Sequence, residues 1–149
     1  MKITIPILLL ALAIGASAAQ ATEPGQSQKP LPAADCINTG QINEWHVVDP
    51  RTAIVRTGPR RYLVTLRSAC PRLGMPPAGL IFRPSPSNAV NNRGRICGEV
   101  GETVRSRRQP PCAIESVSRI DKARFDRLRA HAMHHGSAAD QPTTLPSHR

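Results

Sequence analysis

Arg61-Tyr62-Leu63-Val64-Thr65-Leu66-Arg67 is the stretch on which the fold class turns. It is rich in β-branched and aromatic residues, the side chains that pack best on a pleated surface, and it reads as a strand. Upstream, Glu44-Trp45-His46-Val47-Val48 is strand-like and closes at Asp49-Pro50-Arg51. That tripeptide is a turn because Pro fixes φ and Asp can bond the backbone ahead of it. Thr52 to Arg56 follows as another strand before Gly58-Pro59. Downstream, Ser68 to Gly79 is irregular, Leu80 to Arg83 is a strand, and Pro84 to Gly94 reads as a long polar loop. Arg95-Ile96-Cys97-Gly98, Glu102-Thr103-Val104 and Cys112 to Val117 complete the set. In the last of these Cys112, Ile114 and Ser116 share one side by period-two alternation. Asp121 is then placed to cap a helix, and Phe125, Leu128 and Ala132 recur at helical spacing. The pattern predicts an all-β domain, mainly antiparallel, a small sandwich or barrel with one C-terminal helix.

The start of the chain is of another kind. After Met1-Lys2 comes an almost unbroken apolar run, Ile3 to Ile14, then small residues ending in Ala19-Gln20-Ala21. A positive start, an apolar stretch and an Ala-x-Ala cut site are the three parts of a secretory signal peptide, which puts cleavage after Ala21. The run is too short for the roughly 20 residues of a spanning helix. A lipid anchor would need a cysteine directly after the cut, and the first one is Cys36. The expectation is a soluble protein in the periplasm or outside the cell. Residues 22–34 and 134–149 are Pro-, Ser-, Gln- and Thr-rich and read as disordered flanks, leaving 35–133 as the folded domain.

That domain is poor in aromatics: Trp45, Tyr62, Phe82 and Phe125 are all it has. Cys36, Cys70, Cys97 and Cys112 therefore carry weight. In an exported chain, even in number and widely spaced, they read as two disulfides rather than as the paired spacing of a zinc site. Three pairings are open. Cys36–Cys112 with Cys70–Cys97 is favoured, because the outer pair brackets the strands.

Several of these residues also occur in order in a known pattern: Cys36-Ile37, Trp45 with Val48-Asp49, Tyr62 to Leu66, Cys70 with Leu73, Ile96-Cys97-Gly98, and Cys112 with Ile114 and Val117. On them the chain resembles a family of small exported bacterial proteins classed only as a domain of unknown function. The resemblance runs from about Asp35 to Ile120 and implies the architecture, with no role for any polar residue. Some of those relatives look like lipoproteins, a feature that needs the cysteine missing here.

Chemistry is sparsely signalled. His131, His134 and His135 stand at i, i+3 and i+4, which on a helix puts three imidazoles on one face, within reach of a copper or zinc ion. His46, beside Trp45 and near Asp49, is the one histidine in the strand region and could orient for acid–base work. No Gly-x-Ser-x-Gly elbow accompanies it. The broad hint is charge, +10 over 149 residues with twice as many basic as acidic side chains. Arg60-Arg61, Arg93 with Arg95, and Arg105-Ser106-Arg107-Arg108 fall in or near turns, while Arg119, Lys122, Arg124, Arg127 and Arg129 run along the helix. Guanidinium forks bind phosphate and carboxylate in bidentate fashion. Nucleic acid is disfavoured by the compartment and by too few aromatics for a stacking platform. The sequence thus points to a non-enzymatic envelope protein that binds anionic lipid phosphate or glycan through Arg60, Arg61, Arg105, Arg107 and Arg108. A copper- or zinc-binding protein using the C-terminal histidines and an uncharacterised hydrolase are the alternatives.

Overall fold

In the computed structural model, which describes residues 28–141, the expected strands pair into one antiparallel sheet. β1 (Ile42–Asp49), β2 (Thr52–Thr57) and β3 (Arg60–Leu66) form a meander through the two predicted turns. β4 (Ile81–Arg83), β5 (Thr103–Arg105), β6 (Cys112–Arg119) and β7 (His134–Ser137) complete the order β4-β5-β6-β3-β2-β1-β7. The sheet is an open half-barrel, with β4 and β7 as its edges. The helix expected after Asp121 is α2 (Lys122–Ala130), and the Asp121 carboxylate accepts from Arg124 N as an N-cap.

Strand alternation sorts the side chains onto two faces. The inner face carries Trp45, Val47, Ala53, Val55, Tyr62, Val64, Leu66 and Val117, all buried. Among the described residues neither a second sheet nor a helix covers it. The covering side chains come from irregular segments: Ile37 and half-buried Leu31 before β1, Leu73 and Leu80 between β3 and β4, and Ile96 between β4 and β5. The outer face is partly covered by α2, through Phe125.

The disulfides fasten those covering segments, and their pairing differs from the one favoured by bracketing. Cys36 bonds Cys97 and Cys70 bonds Cys112. Ile37 and Ile96 form a two-way backbone bridge (2.8 and 3.0 Å), and the neighbouring cysteines are thereby brought together. Cys70 closes its own loop against Pro50 O (2.7 Å) and meets the start of β6 at Cys112. The favoured pairing assumed that the chain ends needed tying, whereas the loops over the core do. Closing spans of 61 and 42 residues, each bridge is worth about 4 kcal/mol in the chain-entropy account.

Three further expectations change. Arg95 to Gly98 is not a strand, since only Ile96 pairs, with Ile37. The polar loop Pro84 to Gly94 contains α1 (Pro86–Asn91), started by Ser85, whose hydroxyl accepts from Asn88 N, and by Pro at its first position. The flanks are partly structured as well. Leu31 N donates to Cys97 O at 2.8 Å, and β7 lies in the stretch read as a disordered tail. The signal-peptide reading falls on residues outside those described.

Beside Cys97, Glu102 is fully buried with no cationic partner among the described residues. Its carboxylate accepts from Cys97 N (2.9 Å), Gly98 N (2.7 Å) and Asn88 Nδ2 (2.7 Å), joining α1 to the disulfide loop. Gly98 is required there: its φ is +88°, and a Cβ would stand 2.8 Å from Val117 N. Glu102→Gln turns one acceptor into a donor facing an N–H. It is expected to cost about 2–3 kcal/mol, read as a lowered urea midpoint. Non-reducing peptide mapping should recover the Cys36–Cys97 and Cys70–Cys112 links and no other.

Candidate functional site

The chemistry-bearing side chains converge on the outer face, where β1, β7 and α2 meet. Residues two apart on a strand share a face, so Glu44 and His46 stand side by side. The register sets His46 opposite His135 of β7 on one flank and Ile54 of β2 on the other. Phe125 of α2 closes over the imidazole edge-on, with ring centroids 5.8 Å apart. His46 is consequently buried, 5% exposed, and is not the solvated strand histidine that its polarity implies.

Both ring nitrogens of His46 are engaged. Nε2 is 2.9 Å from Glu44 Oε1, and Nδ1 is 2.7 Å from His135 Nδ1. A carboxylate only accepts, so Nε2 carries the proton, Nδ1 is bare, and His135 Nδ1–H donates to it. Glu44 is also the hub of an ion-pair network. Arg129 Nη1 donates to its Oε1 at 3.2 Å. Arg56 Nε lies 2.8 Å from its Oε2, close enough for ionic attraction though not aligned as a hydrogen bond. Asp126 binds the other Arg129 nitrogen at 3.2 Å. Burial opposes ionisation of Glu44, but the hydrogen bonds from His46 and Arg129 and the charge of Arg56 outweigh it and hold the carboxyl below its usual range. Burial pushes His46 down, the Glu44 hydrogen bond and charge offset part of that, and the His135 and Arg129 charges add to the depression.

The C-terminal histidines are not arranged as helical spacing predicts. α2 ends at Ala130 and His131 is its C-cap, while His134 and His135 are successive residues of β7 and so face opposite sides of the sheet. Among the described residues no three His, Cys, Asp or Glu side chains form a group that could hold a metal. Asp49 is not the partner of His46 either: its carboxylate accepts from Arg51 N within the β1–β2 turn. The working partner, Glu44, is legible in the sequence as the same-face neighbour two residues back.

The arginines divide into two kinds. Arg60 Nη1 donates to Ala34 O (2.6 Å), Arg61 Nη1 to Pro59 O (3.1 Å) and Arg95 Nη1 to Ala33 O (3.0 Å), while Arg119 pairs with Asp35. Lys122 pairs with Asp126 and Arg129 with Glu44. Arg72, Arg105, Arg107 and Arg108, like Arg67, Arg83, Arg93, Arg124 and Arg127, have no carboxylate partner among the described residues. The segments that carry the first four are stapled together by the Cys70–Cys112 bridge and by Gly74 N–H donating to Ser106 Oγ (2.6 Å). Arg108 sits at φ +62°, a conformation natural to glycine, in the turn closed by Gln109 N to Ser106 O.

A half-barrel with loops stapled across its inner face, a buried His–carboxylate cluster and a basic rim define a small disulfide-braced β protein. The chain belongs to the family of unknown function DUF6491, which matches residues 1–136. Comparison with curated proteins and with solved structures gives no match.

Folding strips protons from His46, because its folded value lies below the ordinary 6.5. Stability should accordingly fall as the pH drops from about 6.5 toward that lower value, with the Glu44 contribution lost only at more acidic pH. An imidazole NMR titration should place His46 below 6.5, and Glu44→Gln should lower it further by removing the charge that favours the protonated ring.

Proposed function

We propose that this is an exported, non-enzymatic envelope protein that associates with anionic surfaces through the arginine rim beside the Cys70–Cys112 bridge. Two observations favour export. The chain opens with an apolar run and an Ala-x-Ala site, and its four cysteines are paired in disulfides, which persist in oxidising compartments. No helix of the described residues is long and apolar enough to cross a membrane.

The division of the arginines carries the binding reading. Arg60 and Arg61, grouped with the others by sequence, are occupied within the fold, so the candidate surface narrows to Arg72, Arg105, Arg107 and Arg108. Four guanidinium groups without carboxylates suit phosphate or carboxylate oxygens in bidentate geometry. Arg108 supplies a second argument. An L-residue in the left-handed region costs roughly 1–2 kcal/mol where glycine would not, and such strain gathers at functional positions.

The shared ligand chemistry is an anionic oxygen, and its source is a lipid headgroup or an acidic glycan. Cosedimentation with phosphatidylglycerol vesicles and retention on heparin distinguish the two. Binding should weaken steeply with salt and fall several-fold in the Arg105→Ala/Arg107→Ala/Arg108→Ala variant, while Arg60→Ala/Arg61→Ala binds as the parent does. Arg108→Gly should weaken binding and raise stability by about 1 kcal/mol. Binding that ignores salt, or that survives loss of the three arginines, would remove this reading.

A further inference from the structure

β7 is a four-residue edge strand with one neighbour, β1, and it covers the chain's single tryptophan. On its inner side Gly136 lies against Trp45 so closely that a Cβ there would stand 2.1 Å from the indole. Just beyond the strand, Gln141, with its amide turned to satisfy both groups, accepts from Trp45 Nε1 at 3.1 Å and donates to Leu80 O at 2.7 Å. On the outer side, the strand is joined to the sheet through the His135–His46 hydrogen bond. We propose that this bond is a proton-operated latch, which holds β7 over Trp45 while His46 Nδ1 is bare and releases it when that nitrogen is protonated.

The proton inventory follows from the geometry. One added proton on the pair still leaves a single N–H between the two Nδ1 atoms and the bond in place. A second goes to His46 Nδ1 and removes the acceptor. Two N–H groups, each on a cation, then face one another across 2.7 Å, and the side-chain bond that ties the outer side of β7 to β1 is lost. Because Nε2 of His46 is already bonded to Glu44, the ring cannot turn to relieve this without giving up that contact.

The groups facing the pair on each element shape the response. Glu44 of β1 favours the charged ring, but Arg129 of α2 and Arg56 of β2 share its two oxygens and Asp126 draws on Arg129, so the carboxylate is not His46's alone. Phe125 of α2 presents an uncharged edge, and His134 faces the other side of the sheet. Asp140, in the turn after β7, accepts from Ser137 N and Oγ at the strand's end. Burial holds the His46 value down, so opening belongs below the ordinary histidine range.

Trp45 reports directly. In the full chain, acidification from about pH 7.5 to about 5 should red-shift the Trp45 emission. Amide protection across residues 133–137 should fall together with it, while the β2–β3 amides stay protected. His46→Gln should keep the neutral-pH emission and lose the acid response, since neither Asp140 nor Glu102 is altered. His135→Ala, an exposed change that folding tolerates more readily, should show the red-shifted emission already at neutral pH. An acid response identical in His46→Gln, no response in the parent, or simultaneous loss of protection in β2–β3 would overturn the latch.

Discussion

A single sheet has two faces, and among the described residues one short helix, α2, lies on the outer of them. The inner face, floored by Trp45, Tyr62 and the branched residues of β1 to β3, is kept from water by stretches with no regular structure. Such stretches lose more conformational entropy than their few buried side chains return, so something else must hold them in place. The two disulfides do so. Cys36–Cys97 secures the segment before β1 against the loop before β5, and Cys70–Cys112 secures the long β3–β4 connection against β6. Glu102 completes the first of these attachments by gathering the amides of Cys97 and Gly98 and the side chain of Asn88. Burial of Ile37, Leu73, Leu80 and Ile96 is thus a consequence of crosslinking as much as of hydrophobicity.

The same arrangement decides where charge can act. On the outer face Arg56, Arg119, Lys122 and Arg129 are paired with Glu44, Asp126 and Asp35, forming an ion-pair network around a buried histidine. At the end of the sheet closed by Cys70–Cys112, Arg51 pairs with Glu115 while Arg72, Arg105, Arg107 and Arg108 have no carboxylate partner among the described residues. A total charge of +10 therefore describes two unlike surfaces. One is internally compensated and bears on stability and pH. The other is the surface proposed to meet an anionic ligand.

Much of the fold can be read from the chain. Tyr62 to Leu66, Trp45 to Val48 and Ile114 to Val117 announce strands by their β-branched and aromatic residues, a local property. Asp121 and Phe125 announce α2 for similar reasons. What escapes is non-local. Cysteine spacing cannot reveal which loop crosses the core beside which, so the expected pairing is wrong although the disulfides themselves are present. β7 escapes because His134-His135-Gly136-Ser137 has no strand propensity; it pairs because Gly136 alone fits against the Trp45 ring. α1 hides in a polar segment whose one cue is Ser85-Pro86. The histidine site is half visible: His46 stands out, but with Asp49 as its neighbour, when same-face alternation points to Glu44.

Hydrogen exchange before and after mild reduction probes the dependence of the covering segments on their crosslinks most directly. With both bridges intact, the amides of Leu31, Ile37, Cys70 and Ile96 should exchange slowly, in keeping with their hydrogen bonds to Cys97, to each other and to Pro50. With the bridges opened, those amides should exchange fast while the β2–β3 ladder keeps measurable protection. If the covering segments stayed as protected without the disulfides as with them, the sheet would be holding its own loops, and crosslinking would not be what keeps the inner face dry.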